Sequence, residues 1–102
     1  MKEIADLISD VPDFPKPGIV FKDITSLLEH PTGLKLVVDA FKQRYADQGV
    51  THFAGIESRG FIFASALAHE MGVGMVLIRK PGKLPRPTHS ASYALEYGED
   101  TV

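Results

Sequence analysis

The chain has 102 residues, 44% of them apolar and 24% charged. This bounds it to one ordinary globular domain at most, able to bury about 65% of its unfolded surface. Its 11 basic and 13 acidic residues give a net charge of −2, which excludes the strongly basic balance of a general nucleic-acid binder. With no cysteine it can form neither a disulfide nor a thiolate metal site, and its charged N-terminus and lack of a membrane-length apolar run predict a cytoplasmic protein with no membrane partner.

Residues 2–9 carry Ile4, Leu7 and Ile8 at i, i+3, i+4, which predicts a short amphipathic helix. Three prolines and a glycine between Val11 and Gly18 predict a stiff, extended loop without a regular element. Ile19 to Ile24 is short and β-prone, and Thr25 to Leu28 reads as a turn or a single helical turn. Pro31 suits the first turn of the next helix, where its missing N–H has no partner to lose. Leu34, Val37, Val38, Phe41 and Tyr45 make the apolar stripe of that helix, and Gly49 ends it.

Thr51 to Ile56 reads as a strand, followed by the polar turn Glu57-Ser-Arg-Gly60 and a helix over 61–71. That helix is apolar or small nearly all round, which predicts packing on more than one side. Gly72 and Gly74 break it. Met75-Val-Leu-Ile78 lacks alternation, as expected of a strand buried on both faces. Residues 51–78 therefore predict a right-handed parallel β-α-β crossover. Arg79 to His89 is basic and punctuated by Pro and Gly. From Ala91 the pattern alternates again, with Tyr93, Leu95 and Tyr97 on one face and Glu96 on the other.

The chemistry concentrates in two loops. A turn from a strand end into a helix start offers backbone N–H groups and the positive end of the helix dipole, which bind phosphates. Arg59 adds a planar fork suited to phosphate oxygens. Arg79-Lys-Pro-Gly-Lys83 is a second basic loop. If the flanking strands are parallel neighbours, both loops open at the sheet edge where ligands bind in open α/β folds. The residues alone thus point to a site for a phosphorylated small molecule. A plain βα turn and a solvated basic loop remain the alternatives. His30, His52, His69 and His89 show no metal-ligand spacing, and Gly72 and Gly74 precede a strand instead of opening a helix, so they form no nucleotide fingerprint.

Four segments in order carry a resemblance: Phe14-Pro-Lys-Pro-Gly-Ile-Val-Phe-Lys-Asp-Ile-Thr25, Gly55-Ile-Glu-Ser-Arg-Gly-Phe61, Val76-Leu-Ile-Arg-Lys-Pro-Gly-Lys-Leu-Pro85 and Ser92-Tyr-Ala-Leu-Glu-Tyr-Gly98. Together they resemble successive motifs of the adenine phosphoribosyltransferases, within the type I phosphoribosyltransferase family. The resemblance implies an α/β fold with a partial Rossmann-like parallel sheet, an N-terminal helix and hood segment, and the C-terminal strands absent. Residues 1–25 would form the helix and base-binding hood, 31–78 an α-β-α-β core, and 79–98 the basic loop and flexible catalytic loop. The implied reaction moves 5-phosphoribosyl from phosphoribosyl pyrophosphate (PRPP) to adenine, giving AMP and pyrophosphate.

Carried over by position, the resemblance implies that Val20, Phe21 and Lys22 bind adenine. Phe21 would stack on the base, with the backbone around Val20 and the Lys22 side chain at its edge. The family often has arginine where Lys22 stands, and lysine keeps the charge without the fork. Ser58 and Arg59 would bind pyrophosphate beside a strained or cis peptide near Glu57–Ser58. Arg79, Lys80 and Lys83 would also meet it, within one subunit or across a dimer interface. Glu96 and Tyr97 would be catalytic, in the loop that closes over the reaction, with Glu96 managing the purine proton. Mg²⁺ would be held through PRPP and not by protein ligands, and the complete protein would be a homodimer. The family's Thr-Gly-Gly loop, which follows two acidic residues and holds the ribose 5-phosphate, is not among these 102 residues. The chain is therefore read as an N-terminal part of such an enzyme. Two other readings stay open: a non-catalytic purine- or pyrophosphate-binding module, and a PRPP enzyme for another base.

Overall fold

The computed structural model describes residues 2–95 and 98–102. The chain divides into two compact units, Met1–Tyr45 and Ala46–Val102. The first contains α1 (Lys2–Leu7), β1 (Ser9–Pro12), β2 (Val20–Asp23), α2 (Thr25–Glu29) and α3 (Gly33–Tyr45). β1 and β2 pair antiparallel, from Ser9 opposite Asp23 to Pro12 opposite Val20. This corrects the expectation of a structureless stretch over 11–18. Val11 and Pro12 finish a strand, and Pro12 is tolerated there because it ends an edge strand.

The rest of that stretch folds back tightly. The Phe14 N–H donates to the Ile19 carbonyl at 3.0 Å, the Ile19 N–H to the Lys16 carbonyl at 3.2 Å, and the Gly18 N–H to the Asp13 carboxylate at 2.9 Å. Pro17 and Gly18, the latter at φ 88°, take the second and third positions of a turn that favours a fixed negative φ and then a positive one. The peptide Phe14–Pro15 is cis. Asp23 accepts from the backbone N–H and the hydroxyl of Thr25, which starts α2. Among the described residues of this unit, Leu27 of α2 and Gly33, Val37 and Val38 of α3 are buried. A Cβ on Gly33 would lie 1.8 Å from the Leu27 carbonyl oxygen, so only glycine admits this approach of α2 to α3. Pro31 lies just before α3, not in its first turn.

The second unit contains β3 (His52–Ile56), α4 (Arg59–Met71), β4 (Gly74–Ile78), β5 (Ser92–Leu95) and β6 (Gly98–Thr101). β3 and β4 pair in parallel, from His52 opposite Gly74 to Ile56 opposite Ile78, with α4 as the crossover. β5 and β6 form an antiparallel pair, Ser92 opposite Thr101 and Leu95 opposite Gly98. Gly72, at φ 66°, closes α4 by donating to the carbonyls of Ala68 and His69. α4 buries Ala64, Leu67 and Ala68, but Ile62 is 37% exposed, so it is covered on one side only. Val76 and Leu77 of β4 are 47% and 42% exposed, against the expected burial on both faces. Two strands and one helix do not supply enough cover for both sides of β4.

β3 and the first turn of α4 meet backbone to backbone. A Cβ on Gly55 would sit 2.6 Å from the Gly60 carbonyl oxygen and 2.8 Å from the Ala64 Cβ. A Cβ on Gly60 would lie 3.3 Å from the Gly55 backbone, tight but adjustable. Gly55→Ala is therefore expected to destabilise the chain by about 1–3 kcal/mol, the usual cost of overpacking. Urea denaturation should place its midpoint below that of Gly60→Ala, and an unchanged midpoint for Gly55→Ala would contradict this packing.

Candidate anion site

The ladder between β3 and β4 ends at Ile56 opposite Ile78 and is extended by one bond, from the Glu57 N–H to the Ile78 carbonyl at 2.9 Å. Parallel strands leave a sheet at the same end. The segments beginning at Glu57 and at Arg79 therefore start side by side at one edge. In the first loop the Glu57–Ser58 peptide is cis. Ser58 is the N-cap residue of α4. It is exposed, its hydroxyl makes no capping bond, and its carbonyl accepts from the Phe61 N–H at 3.1 Å. Arg59 is the first residue of the helix and is exposed. The N–H groups of a first helical turn lack acceptors four residues back, and the helix dipole is positive there.

The second loop turns at Lys80-Pro81-Gly82-Lys83, where the Lys83 N–H donates to the Lys80 carbonyl at 3.3 Å. Proline in the second position and Gly82 at φ 79° in the third are what this reversal requires. A cleft of about 610 Å³ runs beside it, bordered by Ile78, Arg79 and Lys80 and by Thr88, His89 and Ser90. The Glu57 carboxylate joins the two loops. Its Oε2 accepts from Arg79 Nε–H at 2.9 Å, and its Oε1 from the Lys80 backbone N–H at 2.5 Å. The Arg79 guanidinium also lies 5.9 Å from the centroid of the Phe61 ring. The Lys80 ammonium pairs with the Asp100 carboxylate of β6.

Five residues expected to meet pyrophosphate, Ser58, Arg59, Arg79, Lys80 and Lys83, are thus brought to one sheet edge. The three expected at adenine lie in β2 of the first unit, and they do not share a face. Side chains alternate along a strand, so Val20 and Lys22 are exposed while Phe21 is half-buried on the other side. The Phe21 ring meets the Phe14 ring edge-on, with centroids 5.2 Å apart. Lys22 Nζ lies 2.6 Å from Asp10, its partner across the β1–β2 ladder. The pair is solvent-exposed, and such pairs contribute about 0–1 kcal/mol. Glu96 and Tyr97 lie outside the described residues.

Sequence reasoning missed Glu57, Asp100 and Phe14 as neighbours of the expected site residues. The signal for Glu57 was an acid next to an anion-binding turn, which needs cations of its own. The Lys80 N–H, Arg79 and Lys83 hold its carboxyl below the usual carboxylate range, against desolvation, which acts in the opposite direction. A depressed folded-state pKa stabilises the fold above the unfolded value of about 4.3, and that stability is lost as pH falls through the folded value. Urea midpoints measured from pH 6 down to pH 3 should therefore fall less steeply for Glu57→Gln than for the native chain. Equal slopes would contradict the assigned contacts.

Residues 23–97 match the family model of the phosphoribosyl transferase domain. The chain is 54% identical over 100 residues to an adenine phosphoribosyltransferase of Acaryochloris marina, a match that covers 98% of this chain and 59% of the relative. It is 52% identical over 102 residues to one of Aeromonas salmonicida, covering all of this chain and 56% of the relative. A solved adenine phosphoribosyltransferase of Thermoanaerobacter pseudethanolicus matches with a TM-score of 0.89 at 43% identity, over 98% of this chain and 58% of that one. The enzyme of Giardia lamblia, complexed with 9-deazaadenine, matches with a TM-score of 0.91 at 40% identity, over 98% of this chain and 56% of that one. The chain spans somewhat more than half the length of these relatives, and its α/β architecture is a partial type I phosphoribosyltransferase fold. With most of its length matched by that domain, and with a parallel crossover that opens two polar loops at one edge, this chain belongs to the phosphoribosyltransferase family.

Proposed function

We propose that this chain is the base- and diphosphate-binding part of an adenine phosphoribosyltransferase, which transfers 5-phosphoribosyl from PRPP to adenine and releases AMP and pyrophosphate. The observation that carries this reading is the gathering of Arg59, Arg79, Lys80 and Lys83 at the sheet edge where α4 begins. Breaking the C–O bond at the anomeric carbon builds positive, oxocarbenium-like charge on the ribose, and the leaving pyrophosphate gains negative charge. Cationic side chains and helix N-terminal amides at that edge stabilise the departing group. In the first unit, Phe21 would offer its ring to the base and the backbone around Val20 a contact at its edge, while Lys22, on the other face of β2 and paired with Asp10, would have to leave that partner to reach the base. Glu96 would manage the purine proton within the closing loop that also carries Tyr97, and closure would exclude the water that otherwise hydrolyses PRPP.

The reading includes Mg²⁺ as the ion, the cytoplasm as compartment and a homodimer as the complete assembly. Among the described residues no group of three His, Cys, Asp or Glu side chains could hold a metal ion. The cationic loops fit the oxygens of a diphosphate that carries the ion, and not the ion itself. When bound, Mg²⁺ would neutralise part of the charge that develops on the leaving group.

The test is a chimera in which residues 1–102 replace the matched segment of the Aeromonas salmonicida relative. Given adenine, PRPP and Mg²⁺, it should form AMP, and Arg59→Ala should lower kcat/KM by about 100-fold, as loss of one charge-stabilising donor does. A folded chimera that forms no AMP, beside a parent relative that does, would contradict the proposal. Tight pyrophosphate binding without turnover would instead mark a non-catalytic module, and faster reaction with hypoxanthine or guanine would mark an enzyme for another base.

A further inference from the structure

We infer that Glu57 is a positioning residue, which locks the two polar loops into one anion site by holding Arg79 and Lys80 with separate carboxylate oxygens. The role it gives these residues toward a diphosphate rests on the function proposed above. An acid in an anion site repels its ligand unless its charge is already engaged. Here both oxygens are: Oε2 by Arg79 Nε–H at 2.9 Å, Oε1 by the Lys80 N–H at 2.5 Å. The Glu57 side chain is only 12% exposed, so little of its charge faces solvent. Its own N–H is bonded to the Ile78 carbonyl. One residue therefore fixes three consecutive positions, Ile78 at the end of β4 and Arg79 and Lys80 at the start of the second loop.

The geometry has consequences for each cation. A guanidinium held through Nε keeps the donors on its two Nη nitrogens for a further anion. On a second side Arg79 faces the Phe61 ring, whose centroid lies 5.9 Å from the guanidinium carbon. A long side chain held in place before binding loses less rotamer freedom when the ligand arrives. Fixing the Lys80 N–H sets the start of the Pro81–Gly82 turn, which returns the chain at Lys83. Lys83 lies close enough to the Glu57 carboxyl to favour its ionised form. Glu57 thus also lowers the mutual repulsion of the cations it arranges.

Glu57→Gln separates the two contacts. One amide oxygen can still accept from the Lys80 N–H, but the amide nitrogen cannot accept from Arg79 Nε–H. The experiment uses the 102-residue chain, labelled with ¹⁵N, with inorganic pyrophosphate as the probe. In the native chain the Arg79 Nε–H signal should be protected from exchange with water. In Glu57→Gln that protection should vanish while the Lys80 amide stays protected, and the pyrophosphate Kd should rise about tenfold, as expected for a lost charge-assisted contact. Arg79→Lys keeps the charge but lacks the Nε–H, and should show the same rise. Combining the two substitutions should add nothing further.

If Glu57→Gln fails to fold, Arg79→Lys alone decides, because an unchanged Kd overturns the inference. If the native chain does not bind pyrophosphate, the anion site fails, and this inference with it. If the native chain binds and Glu57→Gln binds equally well with the Arg79 signal unchanged, only this inference fails.

Discussion

The parallel pairing of β3 with β4 is the constraint on which the second unit depends. Parallel neighbours need a crossover, supplied here by α4, and both strands then end at the same edge. The close meeting of Gly55 with Gly60 lets α4 start with only two residues between it and the strand end, so its N-terminus lies at that edge. Neither feature is chemical in itself. Together they place a helix dipole, an N-terminal arginine and a second basic loop at one end of a two-stranded sheet. A Cβ at Gly55 would push the helix start away from the strand, and the loops would lose their common origin.

Charge is handled locally at this edge. The chain as a whole is slightly acidic, with a net charge of −2, yet its second loop carries Arg79, Lys80 and Lys83 within five residues. Two acids answer them, Glu57 from the first loop and Asp100 from β6. The Glu57 contacts are made at low exposure, where ion pairs and charge-assisted hydrogen bonds are stronger and more directional than on open surface. The Lys22–Asp10 pair of the first unit is exposed and contributes little by comparison. An anion entering beside the second loop thus meets Arg79 and Lys80, whose side chains are already held by protein contacts.

Much of this architecture was legible in the residues. Turn chemistry and periodicity marked β3, α4 and β4, and Gly72 marked the end of α4, because each signal acts over a few neighbouring residues. The positions of Ser58, Arg59, Arg79, Lys80 and Lys83 at one edge followed from that crossover. What was not legible depends on residues distant in the chain. The pairing of β1 with β2 was hidden because proline and glycine suppress the local strand signal, although the Asp10–Lys22 and Val11–Phe21 neighbours realise it. The exposure of Val76 and Leu77 follows from how little covers β4, which a run of apolar residues does not encode. The Glu57–Arg79 contact spans 22 residues of sequence, and composition shows two opposite charges without showing that they meet. The residues at β2 were singled out by family resemblance alone, and the fold adds Phe14 beside Phe21 and Asp10 beside Lys22.

The central claim is that the loops following β3 and β4 form one anion site. Mapping amide chemical-shift changes across the chain as inorganic pyrophosphate is added tests it most directly. Shifts concentrated at residues 57–61 and 79–83, rising together along one saturation curve, are the expected result. Shifts at only one of the two segments, or at neither, would contradict it.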